Sequence, residues 1–352
     1  MLWLDGLATP WSPSRILCPK GAIHPNMSQR PLLVGLASGY GCDPHCVECT
    51  RKLLEDDPQF ECQLVGISAI RDGVLSSLGL DVLIVGGGDD DDGPVYGRGQ
   101  RSGLGKDGRQ AIRTQVAEGL VYVGICAGAY LASKKQDSLG LCEVDIFTDS
   151  DKEVFACGIT GAVELEVCTG IDPRAEAAAA AAALMQARLP HTEGPLLRFD
   201  DSAVFVIHGD EAAHSGVCVL ARYQKPLTNI HFSSPAGNAT YCKYQASMAG
   251  KPAVVLSAFG LGPVLLLGPH PELHPVLPGK PASITLLSSL LRFLCDFDAS
   301  GSSVSLGTGL QPTPEQVMEV RPAVPHGLEL CRPIMYYALA CHSGQGRACS
   351  YY

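Results

Sequence analysis

A chain of 352 residues with 46% hydrophobic side chains has ample apolar mass for a buried core, and its net charge of −10 argues against nucleic acid or an anionic membrane surface as the main partner. No apolar run reaches the ~18 to 20 residues that span a bilayer. Fifteen cysteines, an odd number without regular spacing, do not form the disulfide framework of a small secreted domain, so an intracellular, cytoplasmic setting is expected.

Residues 1–28 hold Arg15, Lys20 and several Pro and Ser, and they lack an uninterrupted apolar core. They read as a disordered or targeting-like extension, with Met27 offering a second start. Pro31 to Ala37 is a compact apolar run, followed by the turn-rich SGYGCDP and a helical stretch from Cys46 to Leu54, which makes a first β-α unit. Gln63 to Ser68 repeats the strand signal. Asp81 to Val85 is a third strand and runs into Gly86, Gly87 and Gly88. Gly108 to Glu118 reads as a helix that delivers the chain to Val121 to Val123, a fourth strand, and Ala127 to Ser133 is a good helix former. Strands that are apolar throughout and alternate with helices imply a doubly wound, mostly parallel α/β sheet of the flavodoxin type, covered on both faces. Ligands in such folds sit at the carboxyl ends of the strands.

Beyond Ser133 the pattern is more β-rich. Short strands are expected over Ala162 to Val167, Ala203 to Ile207, Val217 to Ala221, Ala253 to Ser257 and Val264 to Leu267. Ala175 to Ala183 reads as a low-complexity helix inserted on the surface, and Ile284 to Phe297 as an amphipathic helix closing the domain. The expected domain covers residues 29–299, and Ser, Gly, Pro and Thr make 300–352 a largely disordered tail.

Two stretches carry chemistry. In VYVGICAGAY, Cys126 falls on a strand-to-helix turn between Gly124 and Gly128, the pattern of a nucleophile elbow: the glycines make room for a tight turn that pushes the thiol out of the sheet. The following helix start favours thiolate. In GPHPELHP, directly after an apolar strand, His270 and Glu272 form an H-x-E pair. A cysteine nucleophile needs an imidazole to take and return its proton, and the imidazole needs a carboxylate to fix its tautomer. The backbone N–H of Ala127 and one from the Gly86 to Gly88 loop, centred on Gly87, are the candidate oxyanion donors.

GGG after the third strand, GICAG at the elbow and HPE after a late strand resemble the class I glutamine amidotransferases. More narrowly, YVGICAGAYLAS, AEGLVYVG, LLLGPHPEL and CVLARY resemble the amidotransferase-like N-terminal domain of biotin-protein ligases, in order from about Pro31 to Phe297. The resemblance implies a Cys-His-Glu triad of Cys126, His270 and Glu272 acting on a glutamine-like amide, with a separate protein as ammonia acceptor and without a cofactor. A peptidase or γ-glutamyl hydrolase would use the same triad. A non-catalytic regulatory or interaction module is the alternative from another class. The chain departs from the family where PGG is usual and Gly86-Gly87-Gly88 stands, and where VIHGDE, from Val206 to Glu211, replaces a segment with asparagine and glycines.

Other features receive plainer readings. Cys42, Cys46 and Cys49, with His45, have metal-like spacing, but no second cluster accompanies them and no metal ligand is assigned. Asp89 to Asp92 reads as a solvated acidic turn. Gly97 to Gly103, GRGQRSG, is similar to the loop that binds biotinyl-adenylate in biotin ligase catalytic domains, yet no stretch supplies such a domain. His208 and His214 take no role, and His274 lies close enough to His270 to line the same crevice.

Overall fold

The structure is a computed structural model that describes residues 30–88, 99–134, 137–147, 159–168, 179–183, 196–200, 202–207, 216–224, 228–232, 248–273 and 282–299. The chain divides into two compact units, Met1–Pro312 and Thr313–Tyr352, and every described residue belongs to the first. The amino-terminal extension, Asp89 to Asp92, His208, His214, His274 and the 300–352 tail lie outside the described residues, as do Gly97 and Arg98.

The first half follows the expected alternation. Strand β1 (Leu32–Ser38) leads to helix α1 (Pro44–Glu55), whose start is fixed by Asp43: its side chain accepts hydrogen bonds from the backbone N–H groups of His45 and Cys46, and Pro44 occupies the first helical position. Strand β2 (Phe60–Gly66) is followed by two short helices, α2 (Ile67–Arg71) and α3 (Leu75–Leu78), and then by β3 (Val82–Val85). Helix α4 runs over Gln100–Ala117, eight residues earlier than the Gly108 start expected from sequence. It is broken at Gly105, whose φ of 59° and ψ of −168° belong to a region essentially restricted to glycine. Strand β4 (Val121–Ile125) and helix α5 (Ala127–Ala132) flank Cys126.

The second half supplies β5 (Asp145–Ile146), β6 (Ile159–Val167), β7 (Leu196–Asp200), β8 (Phe205–Val206), β9 (Cys218–Tyr223), β10 (Thr228–Phe232), β11 (Pro252–Phe259) and β12 (Gly262–Leu267). A last helix, α6, covers Ala282–Ala299. Of the expected Ala-rich helix, 179–183 are described, and they are helical. Strands β5, β7 and β10 were not expected from the sequence.

Among the described residues ten strands form one sheet, ordered β10-β6-β9-β11-β12-β4-β3-β1-β2, with β7 pairing β6. Strands β2, β1, β3, β4 and β12 are mutually parallel, and the run from β12 through β11, β9 and β6 is antiparallel. The sheet is therefore parallel first and antiparallel after. Successive side chains of a strand point to opposite faces. Val82, Ile84, Val121, Val123 and Ile125 enter one apolar cluster with Leu53 and Leu54 of α1 and Leu286, Leu290 and Leu294 of α6. Leu83, Val85 and Tyr122 enter the other, with Ile67, Ile70, Leu104, Ile112, Val116 and Leu131 from α2, α4 and α5. Helices thus cover both faces. All four residues of β3 are fully buried, and each such Val, Ile or Leu contributes about 1.5–3 kcal/mol relative to exposure. No described helix is long and apolar enough to cross a membrane.

Candidate active site

Four parallel strands end at one edge of the sheet, and their carboxyl ends carry the polar groups of interest. The segment after β1 brings Cys42 and Cys46, the one after β3 brings Gly86 to Gly88, β4 ends at Cys126, and β12 is followed by His270 and Glu272.

Cys126 has φ 50° and ψ −106°, a conformation that L residues rarely adopt. The elbow glycines work by close approach rather than by backbone angle. A Cβ on Gly124 would lie 2.6 Å from the Gly128 carbonyl oxygen, and one on Gly128 would lie 1.9 Å from the Val85 carbonyl oxygen. The turn is locked by hydrogen bonds: Cys126 N–H to Leu267 O at 2.9 Å, Gly128 N–H to Gly86 O at 3.2 Å, and the Tyr122 hydroxyl to Gly128 O at 2.8 Å. The Ala129 and Tyr130 N–H groups both donate to the Cys126 carbonyl. Ala127 is the first residue of α5, where a backbone N–H has no acceptor within its own helix. Helix α5 covers six residues, one fewer than the Ala127 to Ser133 expected.

His270 and Glu272 are both buried, and His270 Nδ1 lies 2.7 Å from Glu272 Oε1. The imidazole's proton affinity is raised well above its ordinary 6.5. Burial alone pulls it down, but the negative charge of Glu272, with further contributions from the neighbouring Cys126 and Cys46, overrides that. The H-x-E motif thus places Glu272 on the imidazole ring. The His270 backbone N–H donates to Arg198 O at 2.8 Å, and the Cys126 thiol donates to Asp200 O at 3.6 Å. Strand β7 thus holds the backbone of His270 and the thiol of Cys126, and β7 carried no sequence signal.

The three glycines after β3 serve three purposes. Gly86 lends its carbonyl to Gly128 N–H and to the Gln100 side-chain amide at 3.0 Å. Gly87 passes beside the imidazole, since a Cβ there would lie 2.7 Å from His270 Cε1 and 2.8 Å from Cys46 Sγ. Gly88 is pressed against the segment before α1, with a Cβ position 2.1 Å from Gly41 O.

Cys42, Cys46 and Cys49 face three different partners. Cys42 is buried beside Gln100 Nε2 at 3.8 Å, and burial pushes its thiol up to about 12. Cys49 lies on the exposed side of α1 against His45. Cys46 points into the site, 3.9 Å from His270 Nδ1, and burial raises its thiol to about 11 against the opposing influence of His270. Cys46, Arg198, Asp200 and Gln100 are the site neighbours that the sequence reading missed.

Residues 34–295 match the family model described as biotin-protein ligase, N terminal. Comparison with curated proteins returns no match. Among solved structures the chain is similar to a beta-galactosidase from Bacillus circulans sp. alkalophilus, at 11% identity and a TM-score of 0.38, covering 76% of this chain and 31% of that one. It is also similar to a cytoplasmic protein from Salmonella typhimurium, at 12% identity and a TM-score of 0.37, covering 75% of this chain and 98% of that one.

Proposed function

The chain belongs to the biotin-protein ligase N-terminal family, and on that premise we propose that it is a cysteine hydrolase of the glutamine amidotransferase type, acting on a side-chain amide through Cys126, His270 and Glu272. What supports the reading is the positive-φ turn at Cys126, at the end of β4, together with the buried 2.7 Å hydrogen bond between His270 and Glu272, which follow the neighbouring parallel strand β12. In the proposed cycle His270 takes the Cys126 proton and the thiolate adds to the amide carbon. The N–H groups of Gly87 and Ala127 receive the oxyanion. His270, kept protonated by Glu272, hands its proton to the departing nitrogen, and ammonia leaves a thioester on Cys126. Water, deprotonated by His270, then cleaves the thioester to the free acid and restores the thiol. Glu272 keeps Nδ1 occupied, so the other ring nitrogen is the one that serves Cys126.

The same reading takes the order β2-β1-β3-β4-β12 as the parallel core of a flavodoxin-like sheet, with the site at the carboxyl ends of its strands. A separate ammonia-accepting protein and a cytoplasmic setting belong to this proposal as well. Incubation with glutamine tests it: ammonia release that Cys126→Ala abolishes supports the hydrolase, and absence of release from a folded protein across a panel of primary amides and γ-glutamyl peptides contradicts it.

A further inference from the structure

Cys46, His270 and Glu272 form the one group of three or more potential metal ligands among the described residues, all three buried and with ligand atoms within 4.8 Å of one another. The sulfur lies 3.9 Å and the carboxylate oxygen 2.7 Å from the same nitrogen, His270 Nδ1. Two atoms bonded to one tetrahedral zinc ion at about 2.0–2.3 Å stand roughly 3.3–3.6 Å apart. The sulfur therefore closes by a few tenths of an ångström, and the carboxylate opens once the proton it shares with the ring is gone.

A second observation points to a ligand. Glu272 Oε2 is buried, its side chain has 0% exposure, and it has no hydrogen-bond partner among the described residues. A buried carboxylate oxygen left unpaired is costly, and a cation satisfies it directly. Gly87 lets its backbone pass close to two of the three donors, since a Cβ there would fall 2.7 Å from His270 Cε1 and 2.8 Å from Cys46 Sγ and would force them to shift.

From this geometry we propose that Cys46, His270 Nδ1 and Glu272 bind one Zn²⁺ ion, with a fourth position open to water. One sulfur, one nitrogen and one carboxylate suit a borderline-soft ion, whereas Ca²⁺ and Mg²⁺ require shells made mostly of oxygen. The Cys46 thiolate and Glu272 together bring two negative charges to a divalent ion. The ion supplies the positive charge that the buried Cys46 otherwise lacks, and the thiol proton is released on binding. The site holds either a proton between His270 and Glu272 or the metal. It goes beyond the hydrolase reading and stands whether or not Cys126 turns over, because its test involves no substrate.

The test uses the full chain, stripped of metal and kept reduced with a non-thiol reductant, and titrated with Co²⁺ as the probe. The expected result is a thiolate-to-cobalt charge-transfer band that saturates at one equivalent and bleaches on adding Zn²⁺. The band persists in Cys126→Ala and disappears in Cys46→Ser. Glu272→Gln, which keeps the side-chain shape, weakens Co²⁺ binding at least about tenfold and gives an independent reading if Cys46→Ser does not fold. Absence of the band in the unaltered protein, its persistence in folded Cys46→Ser, its loss in folded Cys126→Ala, or unchanged affinity in Glu272→Gln overturns the proposal.

Discussion

Gly87→Ala probes the packing of the site. The new Cβ would lie 2.7 Å from His270 Cε1 and 2.8 Å from Cys46 Sγ, against a carbon–carbon optimum of about 3.5–4.0 Å. About 1 Å of separation must be recovered. Cys46 is on α1, anchored by the Asp43 cap, and His270 is held by Glu272 through the ring and by Arg198 through the backbone, so neither is a loose side-chain end. Overpacking of this kind costs about 1–3 kcal/mol. A displacement near 1 Å of a reacting group lowers the rate about 10²-fold. The assay is the rate of Cys126 alkylation by a small haloacetamide, resolved by peptide mass spectrometry, beside the thermal midpoint of the same sample. The expected outcome is a fold that survives with a lower midpoint and alkylation slowed about a hundredfold. An alkylation rate within twofold of the parent, with the fold intact, refutes the reasoning that a Cβ at Gly87 displaces the imidazole.

Further expectations concern charge, strain and the α4 break. His270 has a folded proton affinity raised above 6.5, so its contribution to stability is fully present below pH 6.5 and is lost as pH rises through the raised value; Glu272→Gln removes the leading raising influence and flattens that dependence, read from thermal midpoints between pH 6 and 9. At Cys126 the strained backbone favours glycine, so Cys126→Gly is more stable than Cys126→Ala by about 1 kcal/mol or more, checked by denaturant melts of the two variants. Gly105→Ala forces an alanine into a glycine-only conformation within α4 and costs about 1–3 kcal/mol while leaving Cys126 alkylation unchanged, because Gly105 lies away from the site residues.

Much of the parallel half was legible in the sequence because its strands are uniformly apolar and its punctuation is local. Val82 to Val85 and Val121 to Ile125 lie where the apolar runs indicated, and the turn at Cys126 follows from glycines two residues to either side. The His270–Glu272 contact was legible for the same reason, as an i, i+2 pair. What the sequence did not reveal depends on the chain returning from afar. Cys46 meets His270 across 224 positions, and Cys126 meets the Asp200 carbonyl across 74. Strand β7, LLRFD, is short and half polar, so it gave no periodic signal, yet its backbone holds both His270 and Cys126. The early start of α4 was hidden by Gly103 and Gly105, which fall in the stretch read as loop before Gly108, whereas packing against α2 and the break at Gly105 let the helix form.

The central claim is that Cys126 is a nucleophile served by His270. Intact-protein mass spectrometry after incubation with a chloroketone analogue of glutamine tests it most directly. The expected result is a single adduct, mapped to Cys126, that forms in the unaltered protein and is slowed at least about a hundredfold in a folded His270→Ala variant. A folded protein that takes no adduct, or that is modified at Cys126 equally fast without His270, contradicts it.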